Sequence, residues 1–229
     1  MTRMLVRLPG VYRPQGDTRL LTDVLGRHGL VAGLRVLDVC TGTGALAVAA
    51  CRAGAASVTA VDLSARAAMT AWLNNRLLGE RVTVRRGDLF SSVAGERFDV
   101  VLANPPYVPA ETDRLPRHRI GRSWDAGPDG RALLDRICAG VREVLVDGGA
   151  LLLIQSAVAD ERRTLERLEE AGLEGIVRAA VTQPFGPVLR RRAGLLEERG
   201  HIARGQREEQ LVVIEARSPS RMPMVEDAR

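Results

Sequence analysis

Short runs of apolar residues alternate along this chain with longer segments of helical periodicity. The apolar runs, which are rich in valine and leucine, cover residues 35–39, 58–61, 82–84, 98–103 and 150–154. Such nearly unbroken runs predict strands that are buried on both faces of a sheet. Helices are predicted at residues 18–28, 45–52, 65–78, 131–145 and 159–171. This alternation predicts an α/β fold with helices on both faces of a largely parallel sheet.

Several helix boundaries carry a local signal. Ser64 precedes the helix at 65–78 and predicts a side-chain N-cap, and Asp17 or Thr18 predicts the same for the first helix. Gly148 and Gly149 follow the segment 131–145 and predict the end of its helix.

The last two predicted strands, 175–181 and 210–215, require no helix of matching length between them. We interpret them as an antiparallel hairpin with a long insertion at 183–209, which is rich in proline, glycine and arginine. The tail 218–229 has no periodic pattern, so we expect it to be disordered. Residues 1–217 are expected to form one domain, because 229 residues are too few for two domains of ordinary size.

The composition is that of a globular protein, with 45% hydrophobic residues, and it excludes a chain that is disordered throughout. There are 33 basic and 28 acidic residues, and every basic residue is arginine, which gives a net charge of +5. A GC-rich genome explains this arginine usage without a functional meaning. An affinity for phosphate or an acidic partner also explains it, because arginine binds both through paired hydrogen bonds. The net charge alone does not decide between these two explanations.

The three cysteines, Cys40, Cys51 and Cys138, are widely spaced and form no CxxC pair. They therefore suggest neither a zinc site nor a disulfide framework, and a reducing, cytoplasmic compartment fits them best. The N-terminal residues 1–13 lack the apolar stretch of a signal peptide. The longest apolar run, 150–154, is too short to cross a bilayer. We expect a soluble cytoplasmic protein with no metal and no membrane partner.

A glycine-rich turn follows the first strand and opens the next helix. Gly42 and Gly44 allow the backbone to approach a ligand closely, and the helix N-terminus offers unpaired N–H groups. Asp62 ends the second strand at the spacing of a carboxylate that accepts hydrogen bonds from both hydroxyls of a ribose. The same pattern also satisfies a relaxed dinucleotide fingerprint, and a tight turn without a ligand stays possible. Asp38, placed to pair with an ammonium group, and Asp88, placed to accept from an adenine amino group, favour an adenosyl amino-acid cofactor.

The most informative stretch is Asn104-Pro105-Pro106-Tyr107, which directly follows the strand at 98–103. Two prolines remove two backbone donors and fix two φ angles, so the loop is rigid. It presents two acceptors, the Asn104 side-chain oxygen and the Pro105 carbonyl, which together match a planar NH2 group. Tyr107 offers a flat face for stacking on the amide or base that carries this group. The alternative is that the prolines only end the strand and that Tyr107 is a packing residue.

Taken together, these motifs resemble class I S-adenosylmethionine-dependent methyltransferases that act on exocyclic or amide nitrogens. The segment 124–130 looks like the GGPDG segment of HemK-type glutamine methyltransferases, and residues 11–14 with Asp17-Thr18 are similar to the leading segment of the short branch of that family. The resemblance implies a Rossmann-like fold with a mostly parallel seven-stranded sheet, an antiparallel last strand, and residues 1–33 covering the cofactor pocket. It implies catalytic roles for Asn104, Pro105 and Tyr107. It implies S-adenosyl-L-methionine contacts at Thr18, Asp38, Cys40, Gly42, Gly44, Asp62, Leu63, Asp88, Leu89 and Asn104.

Two departures from the family concern the acceptor. Because about 35 residues precede the first strand, we expect the N-terminal helical docking domain of the long branch to be absent. In addition, Gly16 stands where the short branch usually has Glu. The first hypothesis is an enzyme that methylates a glutamine amide of a release factor or a ribosomal protein, with or without a small activating partner. The second is methylation of an adenine, guanine or cytosine amino group in RNA or DNA, and the third is a non-enzymatic assembly subunit. Intact cofactor and acceptor motifs argue against the third.

Two arginine-rich segments are candidates for recognising the acceptor. The segment 109–123 is expected to form a lip over the acceptor channel, and the run 190–192 lies in the hairpin insertion. The lip carries Arg114, Arg117, His118, Arg119 and Arg122. These residues predict a surface that binds RNA or an acidic protein. The alternative is a solvated loop without a binding role. No general base is evident: His118, in the segment after Tyr107, is a weak candidate, and the alternative is that the proton leaves to water after the transfer. The sequence does not indicate an oligomeric state.

Overall fold

The computed structural model describes residues 5–110 and 126–220, and in them seven strands form a single sheet. The strands are β1 Arg35–Val39, β2 Ser57–Asp62, β3 Val82–Arg86, β4 Phe98–Ala103, β5 Leu145–Ser156, β6 Glu174–Pro184 and β7 Glu208–Arg217. The helices of these ranges are α1 Gly16–His28, α2 Ala45–Arg52, α3 Ala65–Leu78, α4 Leu134–Gly140, α5 Glu161–Glu170 and α6 Pro187–Glu198. The predicted bounds of β1, β4, α2 and α3 are confirmed.

The order of the strands across the sheet is β3-β2-β1-β4-β5-β7-β6. Neighbouring strands from β3 to β5 are parallel, and β7 is antiparallel to both β5 and β6. The predicted fold, with a terminal antiparallel hairpin, is confirmed. The chain leaves β1 towards β2 on one side and later returns to place β4 on the other side, so a crevice opens between the carboxyl ends of β1 and β4. Val39 pairs with Ala103, which brings the residues that follow the two strands side by side.

Two hydrophobic layers lie on opposite faces of the sheet because side chains alternate along each strand. Leu37, Val39 and Ala103 pack in the layer that includes α4 and the inner side of α5. Val36 and Leu102 pack in the other layer, against α1 and α2. The predicted placement of helices on both faces is therefore confirmed, and both layers hold the central strands rigidly beneath the crevice.

The prediction of a helix at 131–145 that ends at Gly148 and Gly149 is wrong in both the length of the helix and the place where it ends. The helix α4 covers only Leu134–Gly140 and continues as a 3-10 turn at Val141–Glu143. Gly148 and Gly149 lie within β5, where the register against β4 shifts between Phe98 and Val100. The two glycines form an irregularity of the strand instead of a helix stop, and they bond to the chain after β7: the Gly148 N–H donates to the Pro219 carbonyl at 3.2 Å, and the Ser218 N–H donates to the Gly149 carbonyl at 2.9 Å.

The predicted N-cap of α1 is also wrong. The helix begins at Gly16, and its N-cap, Gln15, makes no side-chain capping bond. Asp17 lies in the first turn, where its charge suits the helix dipole, but its carboxylate binds two tyrosine hydroxyls. By contrast, Ser64 caps α3 as predicted by accepting a hydrogen bond from the N–H of Ala67.

The insertion between β6 and β7 contains α6, which the sequence analysis did not predict. Pro187 occupies its first turn, and three of its side chains, Leu189, Ala193 and Leu196, are buried. They pack with Phe185 and with Val108, which follows the Asn-Pro-Pro-Tyr motif, in a third hydrophobic cluster. The insertion is therefore a helical wall attached to the acceptor motif. None of the helices described here has the length and hydropathy that crossing a membrane requires.

Candidate active site

A cavity of about 700 Å³ opens at the carboxyl ends of β1, β2 and β4. Its walls come from the segment before α1, the glycine turn, the ends of β2 and β3, the Asn-Pro-Pro-Tyr motif and the start of α6. Eight of the ten residues predicted to bind the cofactor line this cavity, whereas Asp38 and Gly44 lie behind its surface. The lining includes Thr18, Cys40, Gly42, Asp62, Leu63, Asp88, Leu89, Asn104, Pro105 and Tyr107.

The glycine turn packs tightly against α3. Gly44 has a φ of 80°, and a Cβ atom there would lie 3.1 Å from the Cα of Ala71. Cys40, which is not a glycine, also adopts a positive φ, of 58°. A left-handed conformation at such a residue costs free energy and is concentrated at functional sites. Of the positive-φ residues of the turn, Cys40 is thus the one held in a conformation that its residue type disfavours, as often occurs at ligand-binding sites.

Asp38 lies beneath the glycine turn and is completely buried. Its Oδ2 accepts hydrogen bonds from Thr41 Oγ1 at 2.5 Å and from the Ala47 N–H at 3.1 Å. Its Oδ1 is buried and has no hydrogen-bond partner among the described residues. Burial raises the pKa of Asp38 to about 7, and the two hydrogen bonds oppose this shift. A buried carboxylate oxygen that still needs a donor suits the ammonium group of an amino-acid cofactor.

Asp62 ends β2 and holds the glycine turn in place. Its Oδ2 accepts from the Gly42 N–H at 2.9 Å, and its Oδ1 accepts from the Ser64 N–H at 2.8 Å. Burial raises its pKa, although both backbone hydrogen bonds favour the ionised form. Each carboxylate oxygen keeps a second lone pair, so the group can also accept from the two hydroxyls of a ribose.

The third predicted contact region follows β3. Asp88 lines the cavity, and its Oδ2 forms a half-exposed ion pair with Arg136 at 2.9 Å. Leu89 is buried and has a positive φ of 49°, which bends the chain around the cavity. Leu63 is 55% exposed and also lines the cavity. These residues, together with Asp38 and Asp62, fit an adenosyl amino-acid cofactor.

The acceptor motif follows β4 and lines the same cavity as the glycine turn. Asn104 Nδ2 donates to Thr18 Oγ1 at 3.3 Å, so Asn104 Oδ1 is left as the acceptor of that side chain. The Tyr107 hydroxyl donates to Asp17 Oδ2 at 3.3 Å. Burial, together with the charge of Asp17, raises the pKa of Tyr107 well above its usual value, so the phenol stays protonated.

Two buried carboxylates near the acceptor motif were not identified from the sequence. Asp17 also accepts from the Tyr12 hydroxyl at 2.9 Å, and 90 residues separate it from Tyr107. Glu209, at the start of β7, accepts from Gln183 Nε2 at 3.2 Å, and burial raises its pKa. The sequence offered one signal for Asp17, its place beside Thr18. It offered none for Glu209, which only the terminal hairpin brings to the cavity.

The segment 126–130 supports the acceptor motif from behind. The Ala110 N–H donates to the Gly127 carbonyl at 2.7 Å, and the Ala126 N–H donates to the Val108 carbonyl at 3.2 Å. Gly130 lies against the Tyr107 carbonyl. The predicted lip at 109–123 falls outside the described residues from position 111 onwards, and so do its five basic residues. Within the described ranges, no group of histidine, cysteine and carboxylate side chains is arranged to hold a metal ion.

The chain is similar in sequence to a known protein family and to several named relatives. Residues 3–118 match the family described as methyltransferase small domain. A putative protein N5-glutamine methyltransferase of Methanocaldococcus jannaschii is 33% identical over 181 residues, which are 79% of this chain and 90% of that protein. A release factor glutamine methyltransferase of Bordetella pertussis is 38% identical over 178 residues, which are 73% of this chain and 64% of that protein.

A solved structure with a similar fold comes from the E. cuniculi Mtq2–Trm112 complex, which is described as responsible for methylation of the eRF1 translation termination factor. Its matching chain is 27% identical, with a TM-score of 0.63, and the match covers 91% of this chain and 99% of that chain.

The sheet order and the cavity at its switch point define a class I methyltransferase, an enzyme that takes its methyl group from S-adenosylmethionine. The chain belongs to the methyltransferase small domain family.

Proposed function

We propose that this protein transfers a methyl group to the side-chain amide nitrogen of a glutamine in a translation-related protein, either a peptide release factor or a ribosomal protein. The observation that carries the proposal is the rigid Asn104-Pro105 pair of acceptors at the edge of the cofactor cavity. The names of the relatives, which are glutamine methyltransferases, support the choice of acceptor. Because such substrates act in the cytoplasm, the proposal places the enzyme there.

In this proposal the cofactor supplies an electrophilic methyl group, and the protein positions the weakly nucleophilic amide. Asn104 Oδ1 and the Pro105 carbonyl oxygen accept the two N–H bonds of the glutamine amide and aim its nitrogen at the cofactor. The ring of Tyr107 stacks on the flat amide. Most of the acceleration comes from this positioning, and the fixed acceptors add an electrostatic contribution. The proton leaves to water once the nitrogen has gained its methyl group.

On the cofactor side, Asp38 and Asp62 act as anchors. Asp38 Oδ1 accepts from the cofactor ammonium group, and Asp62 accepts from the ribose hydroxyls while it keeps the glycine turn closed. Thr18, Cys40, Leu63, Asp88 and Leu89 complete the enclosure of the cofactor in this proposal.

The acceptor side is narrowed by α6. Pro187, Val188 and Arg191 line the cavity, and the buried side of α6 packs on Val108. In this proposal the space between this wall and Tyr107 is the acceptor cleft, which takes the extended glutamine side chain.

The test is a transfer assay with methyl-labelled S-adenosylmethionine and two substrates, a recombinant peptide release factor and purified ribosomes. We expect label on protein that survives RNase and is lost on protease treatment, and a glutamine that carries one added methyl group by mass spectrometry. Asn104→Ala is expected to abolish the label while the protein still binds cofactor. Label that is lost on RNase treatment would instead support methylation of a base amino group and would reject the proposal.

The proposal includes a small partner protein, as in the Mtq2–Trm112 complex. On α3, three large apolar side chains, Met69, Trp72 and Leu77, are exposed to 55%, 49% and 56%. Exposed apolar groups of this size on one helix are typical of a protein–protein contact. We expect Trp72→Arg to weaken co-purification with such a partner and to leave cofactor binding intact. Full activity of the isolated chain, unchanged by Trp72→Arg, would argue against a partner.

A further inference from the structure

One buried carboxylate is connected to both functional side chains of the acceptor motif. Asp17 is 3% exposed, and its Oδ2 accepts from the hydroxyl of Tyr107 at 3.3 Å. Its Oδ1 accepts from the backbone N–H of Thr18 at 2.6 Å and from Thr18 Oγ1 at 3.2 Å. Thr18 Oγ1 in turn lies 3.3 Å from Asn104 Nδ2. A chain of hydrogen bonds therefore runs from Asp17 through Thr18 to Asn104.

The direction of each hydrogen bond in this chain follows from the number of protons available. Four donors surround the Asp17 carboxylate, and a carboxylate accepts without donating. The single hydroxyl proton of Thr18 is therefore committed to Asp17. Thr18 Oγ1 can then only accept from Asn104, so the group of Asn104 that faces Thr18 must be its NH2. The Asn104 carbonyl oxygen consequently points away from Thr18.

We propose that Asp17 and Thr18 are positioning residues that lock the side-chain amide of Asn104 with its oxygen towards the acceptor nitrogen. This inference rests on the proposed function, because it assumes that the acceptor is an NH2 group. A flipped Asn104 would present its own NH2 to that group, and two donors facing each other make no hydrogen bond. An asparagine amide has nearly the same shape in both orientations, so packing alone selects neither orientation, and the hydrogen-bond chain makes the selection.

The same carboxylate also orients the ring of Tyr107 through its hydroxyl. Asp17 thus fixes the acceptor group and the stacking surface together. Thr18 is 7% exposed and lines the cavity, so a second role for its hydroxyl, in cofactor binding, has to be separated by experiment.

The experiment compares Thr18→Val, which keeps the shape of the side chain and removes its hydroxyl, with Thr18→Ser, which keeps the hydroxyl. Turnover of the release factor and the cofactor dissociation constant are measured for each variant. We expect Thr18→Val to lower kcat by about tenfold or more, because the orientation of a fixed polar group near the reacting atoms is lost. Its cofactor dissociation constant should rise by a smaller factor than kcat falls, because Thr18 is one of many residues that line the cavity. Thr18→Ser should restore most of the lost kcat.

A second measurement does not depend on turnover. Exchange of the Asn104 side-chain NH2 protons with water is measured by NMR in the protein without substrate. The two resonances are assigned as those that disappear in Asn104→Asp. We expect this exchange to be slow in the wild type and in Thr18→Ser, and about tenfold faster in Thr18→Val, because the accepting oxygen is gone. If Thr18→Val does not fold, Asp17→Asn serves in its place, since an amide at position 17 can donate to Thr18 and release the hydroxyl proton.

Each outcome decides the inference. Unchanged exchange of the Asn104 side-chain NH2 protons in Thr18→Val would overturn the proposed role of Thr18. A loss of turnover fully explained by weaker cofactor binding would overturn it as well. Failure of the wild-type protein to methylate either substrate would count against the proposed function and not against the hydrogen-bond chain, because the exchange measurement would still report the orientation of Asn104.

Discussion

Gly130 lies so close to Tyr107 that a Cβ atom at position 130 would be 2.4 Å from the Tyr107 carbonyl oxygen. Gly130 also has a φ of 75°, and residues other than glycine adopt such a backbone conformation only with strain. The backbone of the acceptor motif therefore rests directly on a residue that has no side chain. A side chain at this position must either push Tyr107 forward into the cavity or open the turn at 126–130.

We expect Gly130→Ala to lower turnover by about 10- to 100-fold, because a displacement of roughly 1 Å at an acceptor site has effects of this size. Cofactor affinity should change little, since Gly130 contacts the backbone of Tyr107 and does not itself line the cavity. Gly172→Ala is the matched control, because Gly172 has the same φ of 75° and a Cβ there would meet no atom within 4 Å. Both variants carry the backbone strain, and only Gly130→Ala carries the clash. Equal turnover in the two variants would contradict this role of Gly130.

The sequence predicted the central sheet and the cofactor side of the site because those features depend on local patterns. Buried strands are apolar runs, and the residues after β1, β2 and β4 converge wherever parallel strands end at one edge. The relatives also bear out the predicted glutamine methyltransferase class. The support behind Tyr107 could not be predicted in this way, because it depends on contacts between distant segments. Glu209 and α6 reach the cavity only through the path of the terminal hairpin.

Two failed predictions have a common physical cause. Asp17 has the residue type and position of a helix cap, but two tyrosine hydroxyls outside the helix bind its carboxylate. Gly148 and Gly149 have the residue type of a helix end, but they lie within β5, where the Gly148 N–H donates to the Pro219 carbonyl and the Gly149 carbonyl accepts from the Ser218 N–H. In both places tertiary hydrogen bonds outweigh a local preference of about 1 kcal/mol.

The buried Asp38 carboxyl makes the stability of the cofactor-free protein depend on pH. Its pKa is about 7 in the folded protein and near 3.8 in the unfolded chain, so the folded state binds more protons between these values. Stability should therefore decrease as the pH rises from about 4 to 7, by at most about 4 kcal/mol from this group. Asp38→Asn should lack this component, as measured by urea unfolding of both proteins at about pH 5 and pH 8.

Cofactor binding provides the control for Asp38. A bound ammonium group favours the ionised carboxylate, so saturating cofactor should stabilise the wild type more at pH 8 than at pH 5. The same pH difference should be much smaller in Asp38→Asn. A wild-type stability that rises with pH relative to Asp38→Asn, without cofactor, would show that Asp38 is ionised at low cost and would contradict the prediction.

Arg131 is only 2% exposed and ties the turn at 126–130 to the end of β5. Its Nη1 donates to the carbonyls of Ala159 and Asp160, and its Nη2 donates to Asp135 at 2.7 Å. Arg131→Met would leave both carbonyls without this donor, so we expect a loss of about 2–4 kcal/mol in the free energy of unfolding. Arg131→Lys should recover part of it, because an ammonium group cannot reproduce the guanidinium fork.

Urea unfolding measures this loss, and Arg162→Met is the control. Arg162 is 87% exposed and pairs with Glu166 on the surface of α5, so its replacement should cost less than about 0.5 kcal/mol. Similar losses for the two methionine variants would mean that the buried contacts of Arg131 contribute no more than a surface ion pair.

Two arginines join α6 to the chain just after the acceptor motif. Arg192 Nη1 donates to the Pro109 carbonyl at 2.9 Å, and Arg199 Nη1 donates to the Ala110 carbonyl at 2.8 Å. Because α6 forms one wall of the acceptor cleft, the double variant Arg192→Met/Arg199→Met should raise KM for the release factor by about tenfold, with a cofactor dissociation constant close to that of the wild type.

Arg190→Met, which removes an exposed charge from the same helix, is the control for a general effect of charge on substrate binding. If Arg190→Met raised KM as much as the double variant, and if added salt raised KM of the wild type in parallel, α6 would act as a cationic surface and not as a wall held against the acceptor motif.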